Sequence, residues 1–87
     1  MHIEKARELF DCVRWGKYAF YCSYVYPARD KIEIRLRDLS KGSPSLSHKP
    51  IWSIRLIQED LHLKNKAKLF SWIESLVCEH FIENGVE

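Results

Sequence analysis

Glycine and proline are scarce in this sequence, which has three of each among its 87 residues. The glycines do not form a phosphate-cradling loop, and no serine or cysteine lies in a nucleophile-elbow pattern. A chain of this length also buries only about 60–65% of its unfolded surface, which is too little to wall a deep pocket. We therefore expect that this protein is not an enzyme and that it uses no cofactor.

Cysteine is present but in no recognisable framework. The three cysteines, Cys12, Cys22 and Cys78, are odd in number and far apart in sequence, and the sequence contains no CxxC or HxxxH pair. Secreted disulfide scaffolds and structural zinc sites both need paired, closely spaced ligands. The pattern predicts three reduced thiols and no metal site.

Long hydrophobic runs are absent as well. The longest mostly apolar run, residues 18–26, is far shorter than the roughly 20 residues that a membrane-spanning helix needs. Residues 1–5 are charged rather than apolar, which is unlike a secretory signal. These features predict a cytoplasmic protein that does not associate with membranes.

The charge is small in total but uneven along the chain. The net charge is +2, yet residues 14–68 carry a surplus of +7, whereas residues 1–13 and 69–87 carry −1 and −4. A basic middle between two acidic ends makes a polarised molecule, which bears on its partners more than on its fold.

The spacing of apolar residues predicts two helices and three strands in one domain spanning residues 1–87. They cover residues 3–14 (helix), 17–26, 31–37 and 51–57 (strands) and 66–83 (helix). Gly16 is expected to end the first helix and Asn65 to cap the last one. The fold class is therefore α+β, in the order α-β-β-β-α, with a three-stranded antiparallel sheet and both helices packed on one face. Residues 38–50, rich in Ser, Pro, Gly and Lys, form a linker before the third strand.

The first two strands are predicted to form a hairpin that organises the sheet. The favoured register pairs Tyr26 with Ile32 and Tyr24 with Ile34, which puts an aromatic stripe in the core. A register shifted by one residue is the alternative. It would set the tyrosines beside Glu33 and exchange the buried and exposed faces.

The sheet face away from the helices is the predicted binding surface. Arginine with tyrosine is the composition enriched at interface hot spots and on nucleic-acid platforms, although a solvated sheet face is the plainer interpretation. The predicted binding residues are Lys17, Tyr21, Arg35, Arg37 and Arg55 of the sheet, Lys49 of the linker, and Lys64, Lys66 and Lys68 at the start of the last helix.

These features favour a non-catalytic protein-binding module, a small cytoplasmic regulator or inhibitor. The size and polarity are typical of proteins that phages or mobile elements encode against host nucleic-acid machinery. The alternative is an RNA- or DNA-binding domain that uses the basic sheet face and the start of the last helix. The α-β-β-β-α order is shared by double-stranded-RNA-binding domains, but the glycine-containing turn expected before the last helix is absent here. A homodimer through Trp72 and Phe81 of the last helix is a further hypothesis.

Overall fold

The computed structural model describes residues 1–39 and 50–84. In these residues the chain forms two α-helices, α1 (Ile3–Leu9) and α2 (Lys66–Asn84), a 3-10 helix (Gln58–Leu61), and four strands, β1 (Val13–Trp15), β2 (Tyr18–Tyr24), β3 (Lys31–Asp38) and β4 (Trp52–Ile57). The strands form one antiparallel sheet in the order β1-β2-β3-β4. The predicted α+β class is confirmed, whereas the predicted three-stranded sheet is wrong because the described residues contain a fourth strand.

The additional strand replaces the end of the predicted first helix. The helix was expected over residues 3–14 but ends at Leu9. Cys12 then adopts a left-handed conformation, with φ of 56°, which redirects the chain. Val13 follows in β1 and lies opposite Phe20 of β2. The side chain of Val13 can pack against the core from either a hairpin or a helix. The apolar spacing alone therefore does not distinguish these two structures.

Gly16 is left-handed, as predicted, but it does not cap a helix. It lies at the first central position of the two-residue turn between Trp15 and Tyr18, with φ of 64°. Tight hairpin turns favour glycine at this position because it tolerates positive φ. The predicted helix cap is therefore wrong, and the glycine instead joins β1 to β2.

One face of the sheet and both helices bury a single core. The aromatic ring of Phe10, which directly follows α1, stacks on Phe70 of α2 at a centroid distance of 5.3 Å, and Phe20 of β2 meets both rings edge-on. The buried members of the core are Ile3, Ala6, Phe10, Tyr18, Phe20, Cys22, Ile32, Ile34, Leu36, Leu56, Leu61, Leu69, Ile73 and Val77. Even-numbered positions of β2, β3 and β4 therefore face the helices, as period-2 alternation requires.

The hairpin register keeps the predicted faces but not the predicted pairs. Tyr24 lies opposite Ile32, two residues away from the favoured pairing, and Tyr26 is 93% exposed rather than in the core. The ladder ends where the Val25 N–H donates to the Lys31 carbonyl at 2.9 Å, which leaves Tyr26 in the turn. A shift of two residues preserves which side chains face the core, because the side-chain period is also two.

The last helix follows its prediction closely. The Asn65 side-chain oxygen accepts a hydrogen bond of 2.9 Å from the Lys68 N–H, which is the expected N-cap. At its other end, the Phe81 ring packs 5.4 Å from the Tyr18 ring. Between them, Glu74 accepts a 2.9 Å hydrogen bond from the Trp15 indole, so α2 is tied to the first hairpin. In the described residues no helix is long and apolar enough to cross a bilayer.

The turn that leads into α2 contains a strained leucine. The Lys64 N–H donates to the Leu61 carbonyl at 3.1 Å, and Leu63 between them has φ of 66°. The dihedrals of His62, −61° and 132°, are those of a type II turn, whose next position favours glycine. Leu61 is buried, whereas Leu63 is 85% exposed.

Replacing Leu63 with glycine is expected to stabilise the protein by about 0.5–1 kcal/mol. The left-handed conformation costs a branched L-residue about 1–2 kcal/mol, and the greater freedom of glycine in the unfolded chain offsets part of that gain. Urea denaturation measures the change. Ile82→Gly, at an exposed aliphatic residue in α2, is the matched control and is expected to destabilise the helix slightly. Equal destabilisation by both variants would contradict the turn assignment.

Candidate functional site

The strands present a second face that points away from both helices. We call it the open face, and it comprises Arg14, Ala19, Tyr21, Ser23, Lys31, Glu33, Arg35, Arg37, Ser53, Arg55 and Ile57. Two rows cross its centre: Tyr21–Arg35–Ser53 and Ser23–Glu33–Arg55. In the part of the chain that the structure describes, both helices pack on the other side of the sheet.

Arg35 is held in place at the centre of the open face. One guanidinium nitrogen donates to the Ser23 hydroxyl at 2.7 Å, and the other lies 3.4 Å from a Glu33 carboxylate oxygen. The Arg35 side chain is 28% exposed. Its planar donors are thus oriented by two neighbours before any partner arrives, which reduces the side-chain entropy lost on binding.

Glu33 serves two arginines at once. Its second carboxylate oxygen accepts a hydrogen bond of 3.3 Å from Nε of Arg55, whose side chain is 63% exposed. Ion pairs as exposed as this contribute about 0–1 kcal/mol to stability, so their main effect is on side-chain orientation. Both arginines therefore already have a carboxylate neighbour.

Tyr21 and the remaining cations complete the open face. Tyr21 is half-buried and lies directly opposite Arg35 in the ladder. Ala19, only 5% exposed, lies in one row between Arg14 and Arg37, whose aliphatic stems can cover it. Five basic residues and one acidic residue lie on the open face, which gives it a formal charge of +4.

The other predicted binding residues do not join this surface. Lys17 is exposed in the first hairpin turn, with its ammonium 5.5 Å from the Tyr18 ring. The lysines of residues 64–68 lie at the start of α2, in the layer on the opposite side of the sheet, where Lys64 is 4.8 Å from the Trp72 ring. Lys49 lies outside the described residues. The predicted sites thus divide into the open face and a separate lysine cluster.

Two further arginines, Arg14 on the open face and Arg7 in α1, are not among the predicted binding residues. Arg14 falls within the predicted first helix, although the alternation of Val13, Arg14 and Trp15 before a glycine is a usable strand signal. Arg7 lies in α1, and its guanidinium lies 5.3 Å from the centre of the Tyr24 ring. Only the register of β2 shows that Tyr24 is within reach of α1.

Two of the cysteines have raised pKa values. Burial raises the pKa of the Cys22 thiol to about 12, and desolvation together with the Asp11 carboxylate raises the pKa of Cys12. A nucleophilic cysteine needs the opposite shift. Within residues 1–39 and 50–84, no three His, Cys, Asp or Glu side chains come together in a way that could hold a metal ion.

No protein-family model, curated protein or solved structure matches this chain. Its class is defined by the fold and the open face: a small α+β domain whose antiparallel sheet is covered by helices on one side. Functional proposals therefore rest on the open face.

Proposed function

We propose that this protein is a non-catalytic protein-binding module that docks on another protein through the open face. The observation that carries the proposal is Arg35, held by Ser23 and Glu33 beside Tyr21. Tyrosine and arginine are enriched among the residues that dominate interface energies, particularly when they are central and partly desolvated. An oriented arginine next to a half-buried tyrosine supplies that combination.

The mixed charge of the open face favours protein over nucleic acid. Glu33 lies at its centre and contacts both Arg35 and Arg55. A phosphate group that approached either arginine would come close to this carboxylate. The two negative charges would repel each other and weaken phosphate binding. A protein surface with both acidic and basic groups can match such a pattern.

A finer proposal concerns the kind of partner. The open face has a formal charge of +4, whereas residues 69–87 carry four acidic residues and no basic ones. This polarity suits a small cytoplasmic regulator or inhibitor of nucleic-acid machinery, because the basic open face fits a surface beside nucleic acid while the acidic end of the chain fits a basic groove. The proposed source of such a protein is a phage or mobile element that acts on its host, and the small size of the chain, 87 residues, supports this source.

The docking proposal predicts that two variants of the open face lose the partner. Tyr21→Ala and Arg35→Ala are each expected to weaken binding about thirtyfold or more, because truncation of a hot-spot residue typically costs at least about 2 kcal/mol. The measurement is affinity capture from nuclease-treated host extract, quantified by mass spectrometry against wild-type protein. The matched control is the double variant Lys66→Ala/Lys68→Ala, which removes charge from the lysine cluster and should retain the partner.

Two outcomes would overturn the docking proposal. One is a captured protein that both open-face variants retain as well as the wild type does. The other is capture of nucleic acid alone in a parallel experiment with untreated extract, with nothing captured from the nuclease-treated extract.

Direct RNA or DNA binding is the alternative, and the five cations of the open face together with the lysine cluster favour it. It predicts that affinity for a labelled oligonucleotide falls by about one log unit per log of salt for each phosphate contacted. Under the docking proposal we expect no such binding. Fluorescence anisotropy at low salt decides between them, because a complete lack of binding there eliminates the alternative.

The packing of Phe81 and Trp72 in α2 gives less support to a homodimer through this helix than the sequence pattern does. The Phe81 ring is already packed against Trp15 and Tyr18 of its own chain, and Trp72 lies under the Lys64 ammonium. A two-fold axis at Trp72 would also bring Lys64 of one copy close to Lys64 of the other, and this repulsion opposes self-association at this surface.

A further inference from the structure

The two edges of the sheet are protected very differently. At one edge, β1 has three residues, and its Trp15 is tied to Glu74. At the other, β4 has six residues, Trp52–Ile57, with no proline, and no strand among the described residues pairs with its outer side. Short or covered edges resist strand addition, whereas a long uncovered edge is a template for it.

The ladder determines which groups of β4 point outward. The Val25 N–H donates to the Lys31 carbonyl, so the odd-numbered residues of β3 direct their backbone groups toward β2. The even-numbered residues of β3 therefore face β4, where they bond to even-numbered partners such as Ile54. The backbone groups of Ser53 and Arg55 are consequently directed outward.

The next outward N–H is already used. The Ile57 N–H donates to the Asp60 carboxylate at 2.9 Å. No strand in residues 1–39 and 50–84 bonds to the outward donors and acceptors of Ser53 and Arg55, so an incoming strand can pair with these groups but not with the donor of Ile57.

We propose that a second copy of this chain pairs with β4 in antiparallel fashion, with Ile54 opposite Ile54 of the second copy. In this register Ser53 lies opposite Arg55 of the second copy, and each such pair exchanges two backbone hydrogen bonds. The two-fold axis makes the contact self-complementary and closes the assembly at a dimer.

Charge and hydrogen bonding select this register over its neighbour. A pairing centred on Arg55 would place two arginines directly opposite each other, which is unfavourable, and would need the Ile57 N–H. In the Ile54-centred register the two Arg55 side chains are diagonal neighbours, and each has Glu33 of its own chain at 3.3 Å.

The same register covers apolar surface that one copy leaves half-exposed. Trp52 and Ile54 face the core side of the sheet but are only half-buried, since β4 is the edge strand. Pairing sets Trp52 opposite Leu56 of the second copy and Ile54 opposite its equivalent, which extends both cores across the axis. The described strands of the two copies then form an eight-stranded sheet, with α1 and α2 of both copies on one side and the two open faces continuous on the other. A paired docking surface follows if the proposed function is correct, but the dimer does not depend on it.

Sedimentation equilibrium over about a hundredfold range of protein concentration tests the dimer. Wild-type protein and Ser53→Ala are expected to show the same monomer–dimer equilibrium. Ser53→Pro removes an outward N–H and should weaken the dimer by more than about tenfold, while the ladder to β3 is retained because that N–H does not bond to β3. Circular dichroism confirms that each variant is folded.

A cysteine cross-link tests the register, and it remains informative if Ser53→Pro fails to fold. In a Cys12→Ser/Cys78→Ser background, Ile54→Cys is expected to form a disulfide-linked dimer with oxidised glutathione, because facing non-hydrogen-bonded residues have Cα atoms about 4.5 Å apart. Arg55→Cys should not, since its diagonal separation of about 7–8 Å is too long.

Three results would overturn the proposal. They are a wild-type protein that is monomeric at every concentration, a dimer that survives in folded Ser53→Pro, and cross-linking through residue 55 rather than residue 54. None of these results bears on capture of a different protein by the open face.

Discussion

Replacing Phe20 with alanine is expected to destabilise the protein by about 3–5 kcal/mol, the usual cost of removing a buried phenylalanine. Phe20 is fully buried and contacts Phe10, Trp15 and Phe70 at ring-centroid distances of 5.3, 5.6 and 5.9 Å. It therefore joins the residue that follows α1, together with β1 and α2, to the middle of the sheet. A domain of this length has a total stability of about 4–13 kcal/mol, so the variant should lose a large fraction of it.

Urea denaturation of Phe20→Ala beside two other variants measures the effect. Tyr26→Ala, at a site 93% exposed, should change the free energy of unfolding by no more than about 0.5 kcal/mol. Tyr21→Ala, on the open face, should cost clearly less than Phe20→Ala. If Tyr21→Ala proved the more damaging of the two, the strand would be shifted by one residue and the open face would be the core.

Strong periodicity made much of the fold predictable. Ile32, Ile34 and Leu36 alternate with charged residues, so the buried face of β3 followed from period 2 alone. In the last helix, Asn65 as the N-cap identified where the helix starts. The apolar stripe that follows identified the side that is buried. These signals are local, and the tertiary structure agrees with them.

The errors lie where a local pattern fits two structures. Phe10 and Val13 satisfy a helical spacing, yet the chain turns at Cys12, and Val13 enters a strand that pairs with β2 across the two-residue turn at Gly16. The hairpin register was wrong by two residues because loop length, which sets it, is not read from alternation. Leu63 has no sequence signal at all, since a leucine is not expected at the glycine position of a turn.

The composition of the open face was predictable, but its arrangement was not. Alternation placed Tyr21, Arg35 and Arg55 on one surface. The pairing of Glu33 with two arginines depends on the register of three strands, which no single segment contains. The path of the chain between β4 and α2 likewise carries the lysines of residues 64–68 to the other layer.

Alkaline pH is expected to destabilise this protein through Cys22. The thiol is 6% exposed, and burial raises its pKa from 9.0 to about 12, although the guanidinium groups of Arg7 and Arg35 oppose the shift. Above pH 9 the unfolded chain therefore binds fewer protons at this site than the folded protein does. Stability is fully present below that pH and falls as the pH rises toward 12, by about 2 kcal/mol at about pH 10.5.

The comparison that isolates Cys22 is with Cys22→Ala, because lysines and tyrosines titrate in both proteins. Near neutral pH the variant should be less stable than the wild type by about 1 kcal/mol, since it loses a buried side chain. At about pH 10.5 this order should reverse, because the variant has no buried thiol to keep protonated. Cys78→Ala, which removes an exposed thiol, corrects for the loss of a cysteine in general. If the difference in the free energy of unfolding between wild type and Cys22→Ala stayed constant with pH, water would have to reach Cys22. The core side of β2, which contains Cys22 and Phe20, would then be less tightly packed than the burial of these residues indicates.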